Sequence, residues 1–181
     1  ITAISTGSTI TGTTNADQIN LGAGGDIVVF AATGVLNGSD SFLGFAADDA
    51  FNFSAFATDN SVAAGGEVAD DGTGDIATST TDGSGIVDNS ILLVVDANGD
   101  FADTAAAVAG LFDDAADGGQ AFETVAANAD VVVIVRDTTN NETRIFYVDN
   151  DGTAAVTAAE VTLVGILTGY STVFADANIV D

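Results

Sequence analysis

The chain has 181 residues, enough for one domain or two small ones, and 47% of them are apolar, so it can bury a core. Its 27 acidic residues outnumber two basic ones, and the net charge of −25 at pH 7 makes nucleic acid a poor partner. Cys and His are absent, which excludes disulfides, thiolate or imidazole metal sites and His-based catalysis.

Near the amino terminus, two nine-residue units align at 12–20 and 21–29. The sixth residue is Asp in both units (Asp17 and Asp26), and the eighth is aliphatic. Glycine permits a turn, Asp supplies a carboxylate, and the aliphatic residues form a short strand that faces the core. A Gly- and Asp-rich hairpin is the alternative interpretation of the same residues.

This spacing resembles the calcium-binding nonapeptide of the repeat-in-toxin (RTX) family. The resemblance implies a short β-roll stabilised by Ca²⁺, with Asp17 and Asp26 as ligands. Residues 1–11 alternate Thr, Ser and Ile and predict a short strand. Ile10 lies nine residues before the matching position of the next unit, which indicates a degenerate earlier turn with Ser8 in place of the Asp.

A Phe-rich segment at 36–56 follows, in which aromatic residues are interleaved with Asp. It resembles the segment after the calcium roll in serralysin-type and other type I secreted proteins. It also predicts an aromatic pair of core strands that closes the end of the roll. The matching residues are Asp40, Phe42, Phe45, Asp49, Phe51 and Ser54.

Residues 57–90 are rich in Gly, Asp, Ser and Thr and predict a long loop or an insertion. The apolar run at 91–95 then predicts a buried strand. The turn after it offers oxygen donors at alternate positions, which makes three residues candidate cation ligands: Asp96, Asn98 and Asp100.

The rest of the chain predicts two more strands, 131–135 and 143–148, joined as a hairpin. Short helices are expected around 102–127, from the density of Ala, and around 157–168. The predicted fold class is mainly β, a short calcium β-roll or β-sandwich-like arrangement with a few short helices. No apolar run is long enough for a membrane span.

Residues 149–160 resemble the twelve-residue calcium loop of an EF-hand, although Ala154 replaces the glycine that the sharp turn requires. Thr157 and Glu160 also have the spacing of a capping box, so an Asp-capped turn into a helix is the alternative. The candidate ligands are Asp149, Asp151, Thr153, Thr157 and Glu160.

Three parts are therefore expected, in one compact unit: a β-roll part with its Phe-rich cap (1–56), a long loop or insertion (57–90) and a β-rich C-terminal part with helices (91–181). The last part resembles the closing modules of serralysin-like and other large bacterial surface proteins that carry such repeats. We expect a secreted, calcium-stabilised structural protein, not an enzyme, that self-assembles at the bacterial cell surface as a surface layer, sheath or fibre. Its partners would be cations and copies of itself. The alternative is a C-terminal secretion and folding module of a larger adhesin or exoenzyme.

Overall fold

A computed structural model describes residues 7–56, 68–69, 90–96, 104–112, 129–150, 152, 156–170, 172, 174 and 178–180. The described residues form eleven strands and two short helices. The strands lie in two sheets, so the expected mainly β fold is confirmed.

The first five strands are only three or four residues long, because turns rich in Gly and Asp interrupt the apolar pattern at short intervals. A one-turn helix, α1 (Gly34–Asn37), lies between the third and the fourth strand. The strands are β1 (Thr9–Thr11), β2 (Gln18–Asn20), β3 (Ile27–Val29), β4 (Asp40–Leu43) and β5 (Ala50–Asn52).

The later strands are mostly longer and follow the apolar runs of the sequence. They are β6 (Val68–Ala69), β7 (Ser90–Asp96), β8 (Asp130–Asp137), β9 (Glu142–Asp149), β10 (Val161–Thr168) and β11 (Ile179–Val180). The predicted strands at 91–95, 131–135 and 143–148 fall within β7, β8 and β9, and the last two pair as the expected antiparallel hairpin.

The early part of the chain winds as a parallel roll. Sheet I has the strand order β1-β3-β5-β11, and sheet II has the order β2-β4-β10-β9-β8-β7-β6. Successive strands β1 to β5 thus alternate between the sheets, and β1, β3 and β5 pair in parallel, as do β2 and β4. This topology excludes the hairpin interpretation of 12–29, because β2 and β3 lie in different sheets.

The C-terminal strands β10 and β11 continue the roll. β10 pairs in parallel with β4, and β11 pairs in parallel with β5. On its other side β10 pairs antiparallel with β9, so sheet II runs without a break from the short roll strands into the longer ones. The boundaries 1–56, 57–90 and 91–181 stay a prediction.

Two apolar cores lie on the two faces of sheet II. The larger core fills the space between the sheets and is dominated by aromatic rings, among which Phe56 and Tyr147 stack with centroids 3.8 Å apart. The second core joins Val108 and Phe112, from helix α2 (Ala105–Gly110) and the turn after it, to residues of β7 to β10, and α2 lies against β10. The molecule is therefore layered as sheet, sheet and helix.

The helix expected around 157–168 is wrong, because Val161–Thr168 is strand β10. Thr157 and Glu160 do make the contact expected of a capping box, yet it closes a single turn that leads into the strand. The segment VTLVGILT is rich in β-branched residues, and its backbone groups pair on both sides with β4 and β9. Sheet pairing therefore overrides the local helix signal.

Helix α2 lies within the helix expected around 102–127, and its N-cap Thr104 accepts a hydrogen bond from the Ala107 amide. Residues 102–103 and 113–127 of that prediction lie outside the described residues, and so does most of the loop predicted at 57–90. The described helices have four and six residues, and neither is long and apolar enough to cross a bilayer.

Candidate functional site

The strand register extends the nine-residue unit beyond the copies at 12–20 and 21–29. Ile10 pairs with Val28, 18 residues later, so one coil of the roll holds two units. The next register step is 23 residues, as from Ile19 to Phe42, because five extra residues before β4 accommodate α1. The register thereby adds three units, at 3–11, 35–43 and 44–52.

The eighth residue of each unit faces the core between the sheets. All five are apolar, and none is more than 6% exposed. They are Ile10, Ile19, Val28, Phe42 and Phe51. The apolar half of the repeat thus has the role that the sequence predicts.

The sixth residues of the units leading into sheet I are Ser8, Asp26 and Asp49, which we call the first row. The Asp26 carboxylate accepts a hydrogen bond from the Ser8 amide at 2.6 Å and another from the Gly22 amide at 3.0 Å. The Asp49 carboxylate accepts from the Asp26 amide at 2.8 Å and from the Ala46 amide at 2.7 Å. Both Asp side chains are fully buried, and each uses both oxygens on main-chain amides.

The sixth residues of the units leading into sheet II are Asp17 and Asp40, which we call the second row. The Asp40 Oδ1 atom accepts a hydrogen bond from the Asp17 amide at 2.9 Å. Asp17 Oδ2 accepts from the amide and the hydroxyl of Thr13, both at 2.8 Å. Asp40 Oδ2 lies so close to Gly12 that a Cβ atom there would overlap it. Asp40 is buried, whereas Asp17 lies at the solvent-facing end of the row.

These environments shift the pKa values of the carboxyl groups in different directions. Burial raises the pKa of Asp40 to about 6, and the nearby charge of Asp17 acts in the same direction, while the hydrogen bond from the Asp17 amide opposes it. Burial also raises the pKa of Asp49, against the hydrogen bonds from the amides of Asp26 and Ala46. Hydrogen bonds from Thr13 lower the pKa of Asp17. Each row therefore holds a buried carboxyl with a raised pKa.

A calcium ion needs carboxylate lone pairs that point at it. In the first row each oxygen of Asp26 and Asp49 already accepts an N–H group, so this row is less suited to an ion than the second row. In the second row Asp17 Oδ1 and Asp40 Oδ2 accept no hydrogen bond from the described residues, so that row retains two possible ligand atoms. The described residues contain no group of three or more acidic side chains placed to hold a metal.

The turn after β7 is described only at its first candidate ligand. Asp96 is fully buried at the end of the strand, and its carbonyl accepts hydrogen bonds from the amide and the hydroxyl of Thr138. Asn98 and Asp100 lie outside the described residues. The cation site expected there stays a prediction.

In the loop 149–160, Glu160 is held by its neighbours. Its carboxylate accepts hydrogen bonds from the Thr157 amide at 2.6 Å and from the Thr157 hydroxyl at 2.7 Å, and its carbonyl accepts one from the Asp149 amide. Asp149 is exposed, and Asp151 and Thr153 lie outside the described residues. The turn at Thr157 and Glu160 leads into strand β10 and not into the helix of the alternative interpretation, and the calcium loop stays a prediction.

Sequence reasoning placed Asp40 and Asp49 in the Phe-rich cap, so their places in the two rows were missed. A signal was present, because the two acids are nine residues apart and each is followed at the second position by Phe. Asn178 was missed as well, and its side-chain amide donates to the carbonyls of Ala47 and Asp49 at 3.1 and 2.9 Å. Only the return of the C-terminal strand to β5 brings Asn178 to this row.

A separate apolar surface lies on α1. Val35 is 80% exposed and Leu36 is 49% exposed. Val35 lines a cleft of about 290 Å³ together with Phe56, Tyr147 and Glu160, among other residues. Exposed apolar side chains beside a cleft are typical of interaction surfaces.

Comparisons of the chain with protein-family models, with curated proteins and with solved structures find no match.

Proposed function

We propose that the chain is a secreted, calcium-stabilised structural protein that self-associates at the bacterial cell surface, as a subunit of a surface layer, sheath or fibre. The observation that carries the proposal is the stacked roll of nine-residue units, with its carboxylates aligned in rows. Such a roll builds a rigid body whose stability comes from the contacts between neighbouring coils.

We include calcium in the proposal because of the charge of the chain. A net charge of −25 opposes compaction and association unless cations neutralise it. The ligand atoms that remain are those of Asp17 and Asp40 in the second row, together with the candidate ligands in the turn after β7 and in the loop 149–160. Calcium bound there would lower the repulsion within a subunit and between subunits.

The α1 surface supports self-association. Val35 and Leu36 project from a helix that interrupts the repeat, so the coil geometry itself does not require apolar side chains there. On a chain this acidic, an apolar contact surface would let copies meet without bringing like charges together.

The direct test compares the native chain in millimolar calcium and in a chelator. We expect the chelator to lower the melting temperature and to disperse assemblies seen by electron microscopy. Leu36→Asp should disperse the assemblies while the melting temperature changes little. Thr14→Asp, which adds the same charge at an exposed site on the roll, is the matched control. An unchanged melting transition and intact particles in chelator would contradict the proposal.

One observation favours a second candidate, a C-terminal secretion and folding module of a larger adhesin or exoenzyme. Within the described part of the chain, the outer edges of β1 and β2 pair with no strand, and they lie at the same end of the roll. Further coils of a longer protein would fit this end. The length of the native polypeptide distinguishes the two candidates. A much longer chain favours the module, and polymers of a chain of this size favour the coat or fibre.

A further inference from the structure

We propose that the first row joins neighbouring coils of the roll without calcium, because main-chain amides occupy positions around its carboxylates that an ion would otherwise take. This inference goes beyond the proposed function. The first row would then be independent of ions, whereas an ion can bind to the second row.

The first row follows one bonding rule from coil to coil. The amide of the sixth residue donates to the Asp carboxylate of the next coil, from Ser8 to Asp26 and from Asp26 to Asp49. The carbonyl of the same residue accepts from the next coil as well, Ser8 from the Ile27 amide at 2.7 Å and Asp26 from the Ala50 amide at 2.8 Å. Both polar groups of this peptide position are therefore joined to the next coil.

The second oxygen of each carboxylate fastens its own turn. Asp26 Oδ2 accepts from Gly22, four residues earlier, and Asp49 Oδ2 accepts from Ala46, three residues earlier. Hydrogen bonds from N–H groups to a buried carboxylate are charge-assisted and stronger than those between neutral partners. An ion placed at these oxygens would face the positive ends of the same N–H dipoles.

Uncharged groups terminate the row in both directions. Ser8 occupies the carboxylate position of the first unit, and Asn178 donates to the carbonyls of Ala47 and Asp49 at the other end. The row thus needs no cation to complete its hydrogen bonding.

The test uses Asp26→Asn, measured by thermal unfolding in calcium and in chelator. The variant keeps one acceptor oxygen and turns an NH₂ group towards a second amide, so we expect the melting temperature to fall by roughly 5–10 °C. The fall should be the same in both buffers. Asp48→Asn is the matched control, because it removes the same charge from an exposed side chain near the row. It should leave the melting temperature nearly unchanged.

Amide hydrogen exchange on the unaltered chain keeps the inference testable if Asp26→Asn does not fold. Relative to the amides of strand β8, the amides of Ser8, Gly22, Asp26 and Ala46 should keep the same protection in calcium and in chelator. A loss of this relative protection in chelator, or an Asp26→Asn effect present only in calcium, would overturn the inference. The protection is compared with that of β8 in the same buffer, so the result does not depend on whether calcium stabilises the whole chain, and failure here is distinct from failure of the proposed function.

Discussion

The two rows come from the same nine-residue unit, yet they differ in how their carboxylates are satisfied. In the first row Asp26 and Asp49 each accept two main-chain amides. In the second row Asp40 accepts, from the described residues, the Asp17 amide alone, and its second oxygen lies against Gly12. The position in the repeat determines that a carboxylate lies at the turn, and the geometry of that turn determines whether it is saturated.

The difference originates in α1. In the units that contain Asp17 and Asp26, an amide four residues earlier closes the turn on the carboxylate. In the unit that contains Asp40 the equivalent residue is Leu36, whose amide instead donates to the carbonyl of Thr33. Five inserted residues thereby remove one donor from a carboxylate whose pKa burial raises.

The largest effect is expected at the buried apolar position that the units of both rows share. Phe51→Ala removes a fully buried ring that packs against several aromatic neighbours, and it should lower the free energy of unfolding by about 3–5 kcal/mol. Phe42→Ala, at the same position of the unit in the second row, should cost about as much. Urea unfolding measures both, with Val35→Ala as an exposed control. A large difference between the two Phe variants would mean that the rows also differ in their apolar halves.

The next effect concerns the pH dependence of stability, which tests the difference between the rows. The folded pKa of Asp40 is about 6 and its ordinary value is 3.8, so the folded state binds this proton more tightly than the unfolded chain does. The group therefore favours folding most below pH 4, and that contribution is lost as the pH rises through 6. The loss amounts to about 3 kcal/mol.

Asp40→Asn should flatten this part of the pH dependence when unfolding is measured in chelator between pH 4 and 7.5. The variant should also be more stable than the parent chain above pH 6. Asp48→Asn, which removes an exposed charge, should retain the parent slope. Parallel curves for the parent and Asp40→Asn would mean that the second row does not carry an uncompensated carboxyl group.

A smaller effect tests the close approach at Gly12. Alanine there would place a Cβ atom on Asp40 Oδ2, so Gly12→Ala should lower stability by about 1–2 kcal/mol. Gly110→Ala is the matched control, because a Cβ at Gly110 meets no atom within 4 Å, and it should be neutral or slightly stabilising. Equal melting temperatures for the two variants would show that Asp40 moves away without cost.

The smallest effect is expected at Asp17. Asp17→Asn removes a solvent-facing carboxylate, and in chelator it should change the melting temperature by no more than about 2 °C. In calcium the variant should lose part of the stabilisation that the parent chain gains, if the second row binds the ion. Identical calcium responses of the two proteins would remove Asp17 from the candidate ligands.

Much of the local structure could be predicted from the sequence. The aliphatic residues at 12–29 predict short strands that face the core, and the apolar runs at 91–95 and 131–135 predict strands that the structure confirms. These features follow from side-chain periodicity, which depends only on neighbours in the chain. The helix expected around 157–168 failed because its residues pair with β4, more than a hundred positions away.

The sequence by itself determined the mainly β class, the acidic character and the presence of carboxylates at the turns of the roll. Only the tertiary structure decided which of those carboxylates accept an amide at both oxygens, because the donors to Asp26, Asp40 and Asp49 include groups one coil away. It alone also showed that β10 and β11 close the roll. A repeat motif specifies which atoms lie at a turn, and the stacking of coils specifies which partners those atoms meet.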